Sequence, residues 1–195
     1  MVRMLPVLGA AVLLASSAMG REETMKTGSR EEGAREVAWF AGGCFWGVEY
    51  HFDQVPGVVA AVSGYMGGHK DHPTYEEVCS HGTGHIETVQ VTFDPRRVSY
   101  EELARLFFEI HDPTQVDRQG PDIGEQYRSV VFYGNEAQRQ VAERLIRTLV
   151  ARGLPVATRV QPATTFWPAE EYHQDYYARR GTTPYCHARV RRFDP

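Results

Sequence analysis

A single cysteine stands between a glycine pair and two aromatic residues in the segment AGGCFWGVEY, residues 41–50. The preceding residues EVAWFA are typical of a buried strand, and Gly42-Gly43 predicts a turn into a helix. A sulfur at the start of a helix faces unpaired N–H groups and the positive end of the helix dipole, which favour a thiolate. Cys44 is therefore a candidate nucleophile, although a small buried cysteine that only fills the turn would give the same pattern.

Phe45 and Trp46 directly follow this cysteine. Two successive large rings at a helix start cannot both face inward, so we expect at least one of them to line a pocket for an apolar group.

Glu87 is a candidate proton donor in the segment GTGHIETVQVTFD, residues 82–94. Its strand neighbours Ile86 and Val89 are apolar, and burial beside them would raise the pKa of the carboxyl and keep it protonated near neutral pH. The alternative is a solvated glutamate on the strand.

Hydrophobic periodicity predicts the elements that must position these side chains. The helix over 100–110 has the clearest pattern, because Ser99 and Glu102 form a capping box before its apolar stripe. Another helix extends from a cap at Asn135 to Gly153. The remaining predictions are helices at 45–54 and 169–179 and strands at 36–41, 58–64, 86–93, 127–133 and 156–161.

The chain of 195 residues is 42% hydrophobic, which predicts one domain with a sizeable core. Its mixture of strands and helices indicates an α+β fold, a two-layer sandwich with a mixed β-sheet, over residues 36–195. Residues 21–35 are polar and glycine-containing, and we interpret them as a flexible linker.

Residues 1–20 have the pattern of a signal peptide, in which Arg3 precedes the apolar run Met4–Ala15 and Ala18-Met19-Gly20 offers a cleavage site. The pattern predicts export, with a bacterial periplasm as the expected location; a disordered or membrane-lying N-terminus is the alternative. No later segment is apolar enough to cross a membrane.

The formal net charge of −4 falls to −5 without Arg3, with 20 basic and 25 acidic residues, which disfavours nucleic acid or anionic lipid as a partner. The cysteines Cys44, Cys79 and Cys186 are too few for a disulfide scaffold and too far apart for a CxxC pair.

Six segments together resemble the A-type peptide methionine sulfoxide reductases. They are GGCFWGVE, GYMGG, PTYEEVCS, TGHIE, DIGEQYRS and EEYHQDYY, and the match extends from about Glu36 to Tyr185. The resemblance implies reduction of the S-epimer of methionine sulfoxide, free or in oxidised proteins, by a monomer without metal or organic cofactor.

The resemblance also implies roles for individual residues. Cys44 would be the nucleophile, Phe45 and Trp46 the pocket for the S-methyl group, and Glu87 the acid. Tyr75 and Tyr127 would donate hydrogen bonds to the sulfoxide oxygen, and Asp122 would belong to the polar network near the thiol. The family usually has Asn before that aspartate, whereas this chain has Pro121, which would stiffen the loop.

Attack by Cys44 would leave a sulfenic acid, and its recovery requires a second thiol. We predict a bridge from Cys44 to Cys186, because Gly181 and Pro184 indicate a non-helical path for the tail; a packed bystander thiol is the alternative. Cys79, inside a short predicted helix, is interpreted as a buried small residue. A thioredoxin-like reductant would then open the bridge.

Three other functions fit parts of the sequence. Cys79 with the nearby histidines predicts a zinc or copper site, although the spacing matches no standard finger. A cysteine hydrolase would pair Cys44 with His173 or His187 as base. A secreted binding domain would use Cys44 and Cys186 as an ordinary structural disulfide. The histidines of the metal hypothesis are His69, His72, His81 and His85.

Overall fold

A mixed six-stranded sheet forms the centre of the molecule, for which a computed structural model describes Met1 and residues 34–193. The predicted signal peptide beyond Met1 and the linker up to residue 33 lie outside the described residues. The strands are β1 (Glu36–Gly42), β2 (Val58–Met66), β3 (Ile86–Phe93), β4 (Arg118–Gln119), β5 (Asp122–Ile123), β6 (Ser129–Tyr133), β7 (Arg159–Pro162) and β8 (Trp167–Pro168).

The sheet order is β7-β6-β1-β3-β2-β8, and β4 and β5 form a separate hairpin. All neighbours in the large sheet are antiparallel except β6 and β7, which run parallel. The predicted α+β fold with a mixed sheet is confirmed.

Within residues 34–193, five α-helices accompany the sheet, and the predicted caps are present. They are α1 (Phe45–Asp53), α2 (Tyr75–Cys79), α3 (Tyr100–Ile110), α4 (Glu136–Ala151) and α5 (Tyr176–Arg180). The capping box of α3 joins Ser99 and Glu102, and the Asn135 side chain caps α4. None of the helices in the described part of the chain has the length and apolar character needed to cross a bilayer.

Phe40 of β1 connects the sheet to the two helices that frame its central strands. Its ring stacks on Phe52 of α1 at 5.0 Å and on Phe107 of α3 at 5.1 Å, and all three side chains are buried. Burial of each such ring stabilises the fold by about 1.5–3 kcal/mol. This aromatic stack fixes α1 against β1, so the turn between them is held in place.

The predicted helix over 169–179 is wrong in its middle. A 3₁₀ turn, Glu171–His173, is followed by Asp175 with φ of +53° before α5 begins. Gln174 bonds both the N–H and the C=O of Ser63, and the Asp175 N–H donates to Glu49. These tertiary hydrogen bonds replace those of a continuous helix, and a single-sequence pattern does not contain them.

Candidate active site

Cys44 occupies the N-cap position of α1, as predicted, and is 6% exposed. The turn before it requires glycine, since Gly43 has φ of +97° and an added Cβ would lie 2.5 Å from the Gln119 Cβ. The backbone N–H of Trp46 lies on the side of the cysteine sulfur and acts to lower its pKa. The sequence therefore predicted the position of the thiol at the start of the helix.

Glu87 of β3 places its carboxyl against the same helix start. Its Oε2 accepts from the Phe45 N–H at 3.0 Å, and the side chain is 1% exposed. Burial, followed by the negative charges of Asp122 and Cys186, raises the pKa of Glu87 to about 8, and the Phe45 bond only partly offsets this. The predicted burial of this glutamate is confirmed, the solvated alternative is wrong, and the raised pKa favours the protonated form that was predicted.

The start of α1 favours a thiolate at Cys44, as predicted, but other surroundings of the sulfur act in the opposite direction. The pKa of Cys44 is raised well above its ordinary value, because its thiol donates a hydrogen bond to Cys186, is buried, and lies near the Glu87 carboxyl. The helix N-terminus is also partly occupied, since Glu87 already takes the Phe45 N–H. Cys44 and Cys186 therefore share a proton as a pair, and the Cys44 sulfur must be without that proton when it attacks.

Cys186 accepts the hydrogen bond from Cys44, so the two sulfurs are neighbours, and both cysteines are unbridged. This bond, together with the contact between Cys186 Sγ and His187 Nδ1 at 3.0 Å, lowers the pKa of Cys186 to about 6. The segment around Cys186 has no regular secondary structure, as predicted. The structure thus brings together the two thiols whose pairing was predicted.

Tyr75 and Tyr127 flank the Glu87 carboxyl. Burial raises the pKa of both phenols, and the charge of Glu87 adds to the shift in each. The Tyr75 hydroxyl also donates a hydrogen bond to the Cys79 sulfur, which is half-buried rather than buried as predicted. Both phenols are therefore protonated donors over the accessible pH range.

The loop that carries Tyr127 and Asp122 differs from the prediction in one element. Tyr127 lies in a 3₁₀ turn, Glu125–Tyr127, and β6 begins only at Ser129 instead of at 127. Pro121 follows Gly120, whose φ is +58°, in the two-residue turn between β4 and β5. The proline is thus accommodated in a hairpin that places Asp122 beside the site.

Phe45 and Trp46 form an aromatic wall next to Cys44. Phe45 is 1% exposed, whereas Trp46 is half-buried and stacks on Tyr176 at 3.7 Å. The Trp46 Nε1–H donates to His173 Nδ1 at 3.0 Å, which fixes the indole in its plane. One ring is therefore core and the other is the more accessible, in line with the prediction for two successive aromatics.

The histidines of the rival functions have other partners. His85 Nδ1 accepts from the Gly68 N–H and its Nε2 donates to the Lys70 carbonyl, so both ring nitrogens are used within a loop. Between residues 34 and 193, only Glu49, Asp53 and Asp175 bring three candidate metal ligands close together. In the same range no imidazole bonds the Cys44 sulfur, because His173 contacts Trp46 and His187 contacts Cys186.

Two residues of the site were missed by the sequence reasoning. The Tyr185 hydroxyl donates to both oxygens of Asp122, at 2.9 and 3.1 Å, and so connects the tail to the β4–β5 hairpin. His187 contacts the Cys186 sulfur, although it was considered only as a base for Cys44. The one signal in the sequence is that they are the direct neighbours of Cys186. This signal points to the site only if Cys186 is already known to lie there.

A cleft of about 700 Å³ lies between α1 and α3, away from the thiols. Its lining includes His51, Arg97 and Arg189 but none of the predicted site residues. The cluster of chemical groups, and not the volume of this cleft, identifies the candidate site.

Comparisons with known proteins agree with this geometry. A family model described as "Peptide methionine sulfoxide reductase" matches residues 36–194. The Peptide methionine sulfoxide reductase MsrA of Geobacter sulfurreducens is 54% identical over 154 residues, covering 77% of this chain and 95% of that protein.

Two solved structures have a similar fold. Mxr1 from Saccharomyces cerevisiae in reduced form has a TM-score of 0.74 and 34% identity, covering 80% of this chain and 92% of that one. Mxr1 in complex with Trx2 has a TM-score of 0.54 and 25% identity, covering 84% of this chain and 96% of that one.

Proposed function

The chain belongs to the peptide methionine sulfoxide reductase family, and on that premise we propose that it reduces the S-epimer of methionine sulfoxide with Cys44 as nucleophile and Glu87 as acid. The enzyme is an oxidoreductase that reduces methionine sulfoxide and so repairs oxidised proteins. The proposal concerns which residues perform each step.

One observation carries the assignment: the Glu87 carboxyl is bonded to the amide of Phe45, the residue next to the nucleophile. A sulfoxide sulfur in front of Cys44 would therefore have its oxygen within reach of a protonated carboxyl. The oxygen is a poor leaving group until it is protonated, so an acid at this position meets the main chemical requirement.

In the first half-reaction the Cys44 sulfur attacks the substrate sulfur while Glu87 hydrogen-bonds and protonates the oxygen. An S–S bond to the substrate forms as its S–O bond breaks, and the oxygen leaves as water with the protons of Glu87 and of the Cys44 thiol. Water then attacks the Cys44 sulfur, methionine leaves with the electron pair of the S–S bond, Cys44 keeps the hydroxyl as a sulfenic acid, and the proton released returns to Glu87. Tyr127 and Tyr75 donate to the same oxygen, and Tyr75 gives up its bond to Cys79 to do so.

In the second half-reaction the Cys186 sulfur attacks Cys44, a disulfide forms, and water leaves. A thioredoxin-like protein then reduces the disulfide by thiol exchange. The support for this partner is the similarity to Mxr1, which is solved in complex with Trx2. Asp122 and Tyr185 would hold the Cys186 segment over the site during this exchange.

A single-turnover experiment on the two separated sulfoxide epimers tests the proposal. Reduced wild-type protein, without added reductant, should form about one methionine per chain from one epimer and lose two thiols. Cys44→Ser should form none, while the control Cys79→Ser should behave as wild type. Methionine production by Cys44→Ser would refute the assignment.

We propose further that the chain is exported. The support is the basic residue, apolar run and small-residue cleavage pattern of residues 1–20. N-terminal sequencing of the protein recovered from cell fractions tests this: a mature chain that starts after Gly20 in the exported fraction is expected, and an intact Met1 in the cytosol would refute it.

A further inference from the structure

His187 contacts the sulfur of Cys186, and the steps described above give it no role. We propose that His187 is a catalytic residue of the second half-reaction, in which its Nδ1 takes the Cys186 proton and holds that sulfur as the attacking thiolate. This inference rests on the proposed function of Cys186.

The hydrogen bonds of the imidazole define its protonation pattern. His187 Nε2 lies 2.8 Å from the carbonyl oxygen of Gly42, which can only accept, so Nε2 carries a hydrogen. In the neutral ring Nδ1 then has a free lone pair, and it lies 3.0 Å from Cys186 Sγ. One proton therefore lies between Nδ1 and the sulfur, giving either a thiol and an imidazole or a thiolate and an imidazolium.

The packing around His187 holds this geometry in place. The side chain is 4% exposed, and a Cβ added to Gly47 of α1 would lie 2.2 Å from its Nδ1. His51, also on α1, lies with its Nε2 3.2 Å from the His187 carbonyl oxygen. The ring is thus fixed between the β1 terminus and α1, with its sulfur-facing nitrogen directed at Cys186.

The ionisable groups around the pair are of both signs. Cys44 of α1 donates to the Cys186 sulfur and favours the thiolate, whereas the Asp122 carboxylate of β5 disfavours it. Glu87 of β3 is protonated at neutral pH. Tyr177 and Tyr185 also face Cys186, and His111 faces His187. The pKa of His51 is lowered, first by burial and then by the neighbouring charges of His187 and Arg189. The His187 imidazole, which becomes positively charged when it takes up a proton, is in direct contact with the sulfur.

The step balances without an added reagent. The Cys186 thiolate attacks the Cys44 sulfur, the S–S bond forms and the S–O bond of the sulfenic acid breaks. The hydroxide that leaves takes the Nδ1 proton of the imidazolium and becomes water. His187 returns to the neutral ring, still donating to Gly42.

Two isosteric variants separate the chemical role from a structural one. His187→Gln keeps a donor that can reach the Gly42 carbonyl but removes Nδ1 from the sulfur. His187→Asn keeps an amide near the sulfur that cannot take up a proton. The exposed loop residue His69 supplies the matched control, His69→Gln.

The first measurement needs no substrate. In protein carrying Cys44→Ser and Cys79→Ser, the pH midpoint for iodoacetamide alkylation of Cys186 should rise by about one unit or more in both His187 variants, towards an ordinary thiol. An unchanged midpoint overturns the proposal, whatever the protein does to methionine sulfoxide.

The second measurement follows thiol loss and trappable sulfenic acid after one turnover. At pH 7 both variants should form the disulfide about tenfold or more slowly than wild type, and raising the pH to about 9 should restore much of the rate. A wild-type rate at pH 7, or a slow rate that does not recover with pH, overturns the proposal, since the latter means misplacement of Cys186.

These outcomes are distinct from failure of the proposed function. If wild-type protein forms no methionine, the assignment of the first half-reaction fails, and the alkylation midpoint still decides the role of His187. Circular dichroism and a thermal melt of each variant verify that the fold is intact.

Discussion

Burial and hydrogen bonds raise the pKa values of both Glu87 and Cys44. The chief cause is burial at Glu87 and the bond to Cys186 at Cys44. The same surroundings therefore favour a proton on the carboxyl that serves as acid, and they hold the Cys44 proton next to the Cys186 sulfur, which can accept it during attack. A free Cys44 thiolate would in contrast be open to oxidation before substrate binds.

Replacing the acid tests this arrangement at the level of one residue. Glu87→Gln should lower the single-turnover rate about a hundredfold or more, because the amide keeps the bond to Phe45 but donates no proton. Because the pKa of Glu87 is about 8, the wild-type rate should fall as the pH rises through 8 and the carboxyl loses its proton. The rate of Glu87→Gln should show no such fall. Rapid-quench assays from pH 6 to about 9.5 measure both; a variant with the wild-type rate would contradict the role.

Replacing Cys186 separates reduction of the substrate from regeneration of the reduced enzyme. Cys186→Ser should still form about one methionine per chain but should stop after that turnover with thioredoxin, because no disulfide can form. A small dithiol should restore part of the steady-state activity by reducing Cys44 directly. Steady turnover of this variant with thioredoxin alone would show that Cys186 is not the resolving thiol.

The individual site residues were largely predictable because their types are tied to short motifs. Cys44, Glu87, Tyr75, Tyr127 and Asp122 come from segments that are far apart in the chain, and the structure brings them together. The protonation state of Cys44 was not predictable, because it depends on Cys186, which is 142 positions later in the sequence.

At the level of elements, α1 can hold Cys44 beside the tail because its first turn leaves space for His187. Gly47 provides that space, and alanine there would place a Cβ 2.2 Å from His187 Nδ1. Caps and periodicity predicted α1, α3 and α4, but the break before α5 depends on bonds to β2 and α1 that no local pattern contains.

Gly47→Ala should destabilise the protein by about 1–3 kcal/mol, although alanine is intrinsically the better helix former by about 1 kcal/mol. It should also slow disulfide formation after the first turnover, because His187 and Cys186 are displaced together. Urea unfolding and thiol counting measure the two effects. Gly82→Ala, where a Cβ meets nothing within 4 Å, is the control and should be neutral; equal stability of the two variants would contradict the prediction.

Across the whole molecule, the tail is held by individual hydrogen bonds to α3 rather than by a helix or strand of its own. Glu109 of α3 accepts from Arg189 Nε at 2.9 Å and from the Arg192 N–H at 3.2 Å, and the Glu109 carbonyl accepts from Val190. The position of Cys186 therefore depends on contacts of the tail with the C-terminal end of α3 as well as with the site.

A buried carboxyl between α1, β2 and the residue before α5 should make global stability depend on pH. Burial raises the pKa of Glu49 to about 7, although Asp175 N–H and Ser63 Oγ donate to it. Because the folded pKa exceeds the unfolded value, this stabilisation is full below about pH 4.5 and is lost as the pH rises to about 7.

Glu49→Gln should therefore remove on the order of 2 kcal/mol of the decline in unfolding free energy between pH 4.5 and 7. Urea unfolding at several pH values measures it, with the exposed Glu76→Gln as control. Parallel pH curves for Glu49→Gln and wild type would contradict the prediction.

A sulfoxide sulfur is chiral, because two different carbon groups, an oxygen and a lone pair surround it. The hydrogen bond from the Phe45 N–H to Glu87 therefore affects which of its two forms fits the site. The nucleophile, the acid and the aromatic wall meet that atom from three fixed sides, because all are tied to one peptide segment. A mirror-image sulfoxide would have to present its methyl group to the carboxyl, so the protein's own chirality discriminates between the two hands.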